Sequence, residues 1–222
     1  QLHALSPAEI IHLTKTSRLS IEEVLLRLKN AGLDSIPGGG AEILVDRVRQ
    51  IISPKKCTTD QWLNVMDKSH RIGIPTTATM MFGHIETIEE RVDHLIRLRD
   101  QQDKTGGFTA FIAWSHQPGN NPLGVELEGN KISGMEYLKT LAISRIVLDN
   151  FDNLQSSWVT QGPKIGQMAL FYGANDMGST MIEENVVRQA GTSFRMSEEE
   201  IRRLIMDSGF TPQRRNMLYQ FL

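Results

Sequence analysis

Hydrophobic and polar positions along this chain switch repeatedly between a helical and a strand-like spacing. Several helical segments open with a capping box, in which a serine or threonine stands three residues before a glutamate, as at Ser6, Ser20 and Thr87. Apolar residues then recur every three or four positions, which is typical of one buried helix face. The spacing predicts helices from Ser6, over 20–31, 41–52 and 59–72, from Thr87, and over 135–148, 180–190 and 197–207.

Runs of β-branched, methionine and aromatic residues between these helices indicate short buried strands. They lie at 33–36, 76–82, 108–114 and 154–159, residues 1–5 resemble the end of a strand, and 165–171 fit either a short helix or a strand. Strands that alternate with helices predict a parallel sheet with helices outside it.

The fold class that we expect is α/β, an incomplete TIM-like (β/α) barrel that lacks its first strands and carries additional C-terminal helices. A closed barrel of this type has about eight strands, more than the pattern offers. The chain also opens inside a strand-like run at Gln1. We therefore expect residues 1–222 to form the C-terminal portion of one barrel domain.

Composition narrows the class of protein. The 222 residues are 40% hydrophobic and 23% charged, as in a globular domain, and the net charge of −2 gives no basic stripe for DNA or RNA. Because no apolar run approaches the roughly 18 residues of a membrane helix, we expect a soluble, cytoplasmic protein without a membrane partner. Cys57 is the single cysteine, which excludes an internal disulfide and a cysteine-built metal site within this chain.

Polar residues follow each predicted strand where it ends. Barrel enzymes place their sites at the carboxyl ends of strands, so we expect these residues to surround one mouth. They are Ser6 and Glu9, then 37–42, 83–87, 115–118, 155–157 and 173–178.

Each of these features has an ordinary structural interpretation beside the functional one. Glycines 38–40 fit a tight turn as well as close approach of the backbone to a nucleotide. His84 and Glu86 fit a plain junction between strand and helix. The remaining candidates have equally plain roles as core packing, a loop residue or partners of a helix dipole: 80–82, His116, Glu183 and Glu184.

Long stretches of the chain resemble the futalosine-pathway radical S-adenosylmethionine (SAM) enzymes in order and spacing. The triple glycine before Ala41 and Glu42, with the block 175–185, favours the cyclic dehypoxanthinyl futalosine synthase branch over the aminodeoxyfutalosine synthases and the deazaflavin-ring synthases. The resemblance is carried by residues 3–10, 31–44, 76–87, 105–114, 149–158 and 173–185.

This resemblance implies a menaquinone-pathway cyclase that acts on dehypoxanthine futalosine, a small molecule, through a 5′-deoxyadenosyl radical. It implies SAM and a 4Fe-4S cluster, held by a three-cysteine loop after the first barrel strand, and an external one-electron donor. Cys57 cannot replace that loop, so we expect the chain by itself to be inactive. An open sheet also predicts self-association.

The resemblance also implies site residues. The stretch 79–86 is similar to the glycine-rich adenine motif of radical SAM barrels, although Thr79 stands where that motif has its first glycine. The cofactor-binding positions are then Ser6, Glu42, Met81, Gly83 and Glu86. On the expected geometry of the mouth, rather than on the resemblance, we place the carboxylate and sugar of the substrate among His84, Gln117, Asn175 and Asp176.

Two other classes of function remain open. One is a non-catalytic domain that keeps the SAM pocket without the chemistry. The other is an iron-free barrel lyase or hydrolase that uses Glu42, His84 and Glu86 as acid–base groups.

Overall fold

The computed structural model describes residues 1–119, 132–181, 189 and 194–222. Its strands are β1 (Thr76–Phe82), β2 (Phe108–Ser115) and β3 (Leu154–Gln155). Its helices are α1 (Pro7–Ser17), α2 (Ile21–Asn30), α3 (Asp46–Ile52), α4 (Thr59–Arg71), α5 (Ile88–Thr105), α6 (Gly134–Val147), α7 (Trp158–Gln161), α8 (Pro163–Met168), the 3-10 helix Ala169–Phe171, and α9 (Glu198–Asp207).

The strands form one parallel sheet in the order β1-β2-β3. Single parallel bridges extend it on both sides: His3 pairs with Ser35, Ile36 with Thr76, and Gln155 with Asp176. Among the described residues, six strand positions therefore lie side by side in chain order, with helices between them. This arrangement is the expected incomplete α/β barrel.

Side chains along the strands point alternately toward the helices and toward the barrel interior. Met80 and Phe82 are fully buried under the helices, and the ring of Phe82 stacks on Tyr137 of α6 with centroids 6.4 Å apart. Thr79 and Met81, which alternate with them along β1, are only half-buried, because they face the interior. The main apolar core thus lies between the sheet and its helices.

The helix predicted at 41–52 was wrong in its first turn, since α3 begins at Asp46. Glu42 has a left-handed backbone with φ 43°, and the amide of Leu44 donates to Nδ1 of His94 rather than to a helical carbonyl. The buried guanidinium of Arg49 donates a hydrogen bond to the carbonyl of Ala41. These partners hold residues 41–45 in an irregular, buried segment.

The strand predicted at 154–159 was also too long, because β3 ends at Gln155. The amide of Ser157 donates to the hydroxyl of Tyr137 at 2.9 Å, and α7 begins at the next residue.

Residues 165–171 are helical, which decides between the two open interpretations. The helix predicted at 180–190 falls largely outside the described residues, as do Glu183 and Glu184. Within the described part of the chain, no helix combines the length and the apolar character needed to cross a membrane.

Candidate functional site

The turn after β1 is built around the buried carboxylate of Glu86. Its oxygens accept hydrogen bonds from the amide of Gly83 at 2.6 Å and from the amide of His84 at 2.9 Å. The guanidinium of Arg91 donates to Glu86 at 2.7 Å, and Nδ1 of His84 lies 2.9 Å from the same carboxylate. The turn can form because Gly83 has φ 88°, a conformation that glycine adopts without strain.

The environment keeps Glu86 ionised. Burial opposes its charge, but the hydrogen bonds with the side chain and backbone of His84 and with the amide of Gly83 outweigh burial and lower the pKa of Glu86 to about 2. A carboxylate with this pKa holds no proton to donate near neutral pH and is a weak base. Glu86 therefore organises the turn, and it is unsuited to acid–base catalysis.

The triple-glycine loop lies beside β1 at the same end of the sheet. A Cβ atom on Gly38 would fall 2.6 Å from the carbonyl oxygen of Thr77, so no larger residue fits there. At Gly39 the nearest atom would be Cβ of Ser6, at an ordinary contact distance of 3.5 Å. The close approach required by Gly38 is thus an approach to the protein's own strand, while Gly39 faces the start of α1.

Ser6 and Glu42 flank this loop, and both are engaged within the protein. The hydroxyl of Ser6 donates to Glu9 at 2.9 Å in the capping box of α1. The carboxylate of Glu42 is ion-paired with Lys56, and its backbone carbonyl accepts from the amide of Met81 at 2.9 Å. Lys56 remains 44% exposed, so a cation lies at this rim.

The end of β2 adds a second polar cluster. The amide of His116 donates to the carbonyl of Phe82 at 2.7 Å, and the His116 ring lies edge-on to His84 at 6.1 Å. Ser115 Oγ accepts from Gln117 at 3.0 Å and from Gln161 of α7 at 2.6 Å. The structure therefore brings His84 and Gln117 to the same edge, as their positions after β1 and β2 predict.

An apolar platform lies just below this edge, inside the barrel. Met81 and Trp114 are register partners on β1 and β2, and both are half-buried. A thioether beside an indole provides a polarizable surface that fits a flat aromatic ligand such as adenine.

Asn175 and Asp176 lie away from the polar edge. The amide side chain of Asn175 accepts from the backbone of Leu154 at 2.9 Å and donates to the carbonyl of Asp152, at the amino end of β3. Asp176 is bridged to Gln155 inside the barrel, and its carboxylate holds Arg215. The structure does not bring these two residues together with His84 and Gln117.

Sequence reasoning missed four residues that shape these contacts. Arg91 and Lys56 neutralise Glu86 and Glu42, Gln161 binds Ser115, and Arg215 binds Asp176. A usable signal existed only for Arg91, which lies in the first turns of α5 shortly after the motif at 83–86. The other three are distant from their partners in sequence, and only the folded chain brings them into contact.

The residues described do not fit an iron–sulfur cluster. No group of three or more histidine, cysteine or acidic side chains within 1–119, 132–181, 189 and 194–222 is arranged to hold a metal ion. Cys57 is buried, and burial raises the pKa of its thiol, which disfavours the thiolate that binds iron.

Two protein families match the sequence, one over each part of the chain. The Radical SAM superfamily matches residues 2–98, and the CofH/MqnC C-terminal region matches residues 105–222. The two matches together span both the triple-glycine loop and the strands that follow it.

Curated relatives of three kinds match at similar identity. The cyclic dehypoxanthine futalosine synthase of Halalkalibacterium halodurans is 48% identical over 100% of this chain and 59% of its own length. The 5-amino-6-(D-ribitylamino)uracil–L-tyrosine 4-hydroxyphenyl transferase 1 of Methanosarcina barkeri is 46% identical over 99% of this chain and 60% of its own length. The aminodeoxyfutalosine synthase of Thermus thermophilus is 44% identical, with coverage of 99% and 60%. The chain thus spans about three fifths of the length of these relatives.

A solved structure shares the fold. The crystal structure of methylornithine synthase (PylB) superposes with a TM-score of 0.63 at 18% identity, and the match covers 87% of this chain and 56% of that one. At this identity the likeness supports the fold alone.

Proposed function

Because the chain belongs to the CofH/MqnC family of the radical SAM superfamily, we propose that the whole protein is the cyclase of menaquinone biosynthesis. It converts dehypoxanthine futalosine to cyclic dehypoxanthine futalosine. SAM, when bound, supplies a 5′-deoxyadenosyl radical for this reaction. An external one-electron donor and a cytoplasmic location belong to the same proposal.

The observation that carries the choice of cyclase is the triple-glycine loop that precedes Ala41 and Glu42. Gly38 lies against β1 so closely that the loop cannot accept a side chain there. Glu42 then takes a left-handed backbone, which places its carboxylate beside Lys56 at the rim. The loop therefore gives this edge a shape that depends on its glycine pattern.

The site residues would serve SAM and substrate through separate surfaces. Met81, with Trp114 beside it, would support the adenine ring from the barrel interior. The Gly83 turn, held by Glu86, and the triple-glycine loop, flanked by Ser6 and Glu42, would border the rest of SAM. His84 and Gln117 would meet the substrate at the edge above, while the cluster would be held by residues outside this chain.

An iron-free lyase or hydrolase is the weaker alternative. That mechanism needs groups that exchange protons near neutral pH, and Glu86 has a pKa of about 2 because it is fixed by His84 and two backbone amides despite its burial. Glu42 is already ion-paired with Lys56.

The test uses the whole protein, reconstituted with its cluster under anaerobic conditions and supplied with SAM and a reductant. SAM should yield methionine and 5′-deoxyadenosine, while dehypoxanthine futalosine should give a product two hydrogens lighter, as measured by mass spectrometry. Turnover of 5-amino-6-(D-ribitylamino)uracil with L-tyrosine instead would contradict the proposed cyclase and would show the activity for which the Methanosarcina barkeri relative is named.

Two methionine variants make the test specific to this site. Met81→Ala should lower the yield of 5′-deoxyadenosine about tenfold, because a platform contact worth roughly 1–2 kcal/mol is lost. Met135→Ala removes a methionine that is 57% exposed on α6 and should leave the yield unchanged. Equal yields from the two variants would count against the proposed adenine position.

A further inference from the structure

The segment that follows α9 turns back into the barrel. Arg215 binds Asp176 through two hydrogen bonds, from Nε to Oδ2 at 2.7 Å and from Nη2 to Oδ1 at 2.9 Å. Only 13% of the arginine side chain and 10% of the aspartate side chain are exposed. A bidentate pair with this burial is a fixed structural contact, unlike the exposed ion pairs on the helices.

Asp176 lies on the interior face of the sheet, midway along the strands. It bridges Gln155, which pairs with Ile112 of β2, and Ile112 pairs with Thr79 of β1. Register partners point to the same face, and Thr79 faces the interior. Phe82, the last residue of β1, is three residues further along, so Asp176 lies about 10 Å below the polar edge.

Tyr219 completes the contact. Its ring lies 3.9 Å from the guanidinium carbon of Arg215, and its hydroxyl donates to Oε1 of Gln155 at 3.2 Å. Burial and the neighbouring Asp176 raise the pKa of Tyr219 to about 12, so the hydroxyl keeps its proton at neutral pH. A cation, a ring and a hydroxyl from one segment thus lie against two interior strand positions.

The same segment also reaches the first strand position. The amide of Met217 donates to the side chain of Gln1 at 3.2 Å, two residues before the bridge at His3. Arg215 and Phe221 form an antiparallel bridge, which folds the segment into a closed turn. Residues 215–221 therefore connect the two ends of the described sheet across the inside of the barrel.

We propose that residues 215–221 form the floor of the reaction chamber and that Arg215 is the positioning residue that anchors it to Asp176. This inference rests on the proposed function, since it assigns the floor to the chamber in which the substrate radical reacts. Asp176 then acts by holding Arg215 in place. The side chains of Gln155 and Tyr219 form the polar surface of the floor. A closed floor excludes water, which protects a reactive intermediate from side reactions.

The chemical consequence is coupling between SAM cleavage and product formation. With the floor in place, each 5′-deoxyadenosine should correspond to one cyclised product. With the floor detached, the substrate loses its fixed position and solvent reaches the chamber. The substrate radical would then gain an electron from the one-electron donor and a proton from solvent and return to substrate, so 5′-deoxyadenosine should form in excess over product.

The experiment compares Arg215→Gln with Arg214→Gln in the reconstituted whole protein. Arg214 is the adjacent arginine, but it pairs with Glu198 on the surface and is 60% exposed, which makes it a matched control. Arg215→Gln should raise the ratio of 5′-deoxyadenosine to product at least threefold, and Arg214→Gln should not change it. Hydrogen–deuterium exchange of residues 215–221, measured without SAM or cluster, should accelerate in Arg215→Gln only.

Tyr219→Phe serves as a second variant that keeps the ring and removes only the hydroxyl. It should raise the same ratio more weakly while the segment stays protected from exchange. The proposal is overturned if exchange accelerates in Arg215→Gln while the ratio stays at the wild-type value, or if exchange does not accelerate at all. A wild-type protein that forms no 5′-deoxyadenosine would instead reject the proposed function, and the exchange result would still test the anchor.

Discussion

Glu86 keeps a negative charge inside the protein because four neighbours stabilise it. Its side chain is fully buried, yet it contacts two amide donors, the ring of His84 and the guanidinium of Arg91. Removing the charge would leave Arg91, itself only 15% exposed, without its nearest partner. The energetic cost of this change therefore falls on the whole turn rather than on one contact.

We expect Glu86→Gln to lower the free energy of unfolding by about 3 kcal/mol, the size typical of breaking a buried ion pair. Urea denaturation at pH 7 measures this change. Glu22→Gln is the control, because Glu22 pairs with Lys68 at 3.5 Å on an exposed surface, where the expected loss is about 0.5 kcal/mol or less. Similar losses in both variants would contradict the assigned role of Glu86.

The charge on Glu86 also predicts a dependence of stability on acid. The pKa of Glu86 is about 2 in the folded protein, where His84 and the backbone amides overcome the effect of burial, against 4.5 in the unfolded chain. A depressed carboxyl pKa contributes stability above the unfolded value, and this contribution is lost as pH falls from 4.5 toward 2. The free energies of unfolding of wild type and Glu86→Gln should therefore converge as pH falls across this range. A difference that stays constant would argue against the lowered pKa of Glu86.

His70 makes the stability of the protein depend on pH in a higher range. Burial lowers its pKa to about 4, although Asp67 opposes the shift, and the neutral ring bridges Thr105 at 2.6 Å and Thr76 at 2.8 Å. An unfolded histidine binds a proton near pH 6.5. The unfolded state therefore binds more protons between pH 6.5 and 4, so stability should fall by roughly 2 kcal/mol as pH drops through this range.

Chemical denaturation at pH 7.5, 5.5 and 4.5 tests this behaviour, with His70→Gln as the comparison. The variant should be less stable at pH 7.5 but should lose less free energy on acidification. Identical pH slopes for wild type and His70→Gln would show that His70 does not titrate as its burial requires.

At the scale of elements, packing requires glycine at one position of the triple-glycine loop, Gly38, and leaves room for a side chain at another, Gly39. We expect Gly38→Ala to destabilise the protein by about 2–3 kcal/mol, since its Cβ would overlap the backbone of Thr77 and Ala78. Gly39→Ala is the matched control, because its Cβ would make only an ordinary contact with Ser6. Thermal unfolding of the two variants should differ accordingly, and equal midpoints would contradict the packing.

The elements were predictable where capping and periodicity agree. The capping residues Ser20 and Thr87 accept the hydrogen bonds that their sequence pattern implies, and β1 has the predicted bounds. The predictions were wrong at 41–45 and after Gln155, where single long-range contacts from His94 and Tyr137 replace the regular hydrogen bonds. Local sequence carries no signal of such partners.

The candidate site follows the same rule. His84 and Gln117 were placed at one edge because each lies two residues beyond the end of a strand. Asn175 precedes the strand position at Asp176 and contacts the amino end of β3, and Arg215 lies far from Asp176 in sequence. Neither contact could be derived from spacing. Periodicity thus predicts which face a residue occupies but not which distant segment will meet it.

At the scale of the whole molecule, the sheet has two edges in the part of the chain that the structure describes. Among the described residues, the strand bridge of His3 at one side is to Ser35 alone, and that of Asp176 at the other side is to Gln155 alone. Apolar side chains lie near the first edge, where Leu2 is 52% exposed, and on the floor segment, where Phe221 is 76% exposed. Unpaired strand edges beside exposed apolar groups are templates for pairing with another chain.

We therefore expect residues 1–222, expressed by themselves, to self-associate through the edge at Leu2. Size-exclusion chromatography with light scattering should give a mass above 25.0 kDa that rises with concentration. Leu2→Lys should shift the material toward monomer, because a charge at an edge disfavours strand pairing. Ile146→Lys is the control, since Ile146 is 76% exposed on α6, on the outer side of the barrel. A monodisperse monomer at high micromolar concentration would show that the floor segment covers the interior well enough to prevent association.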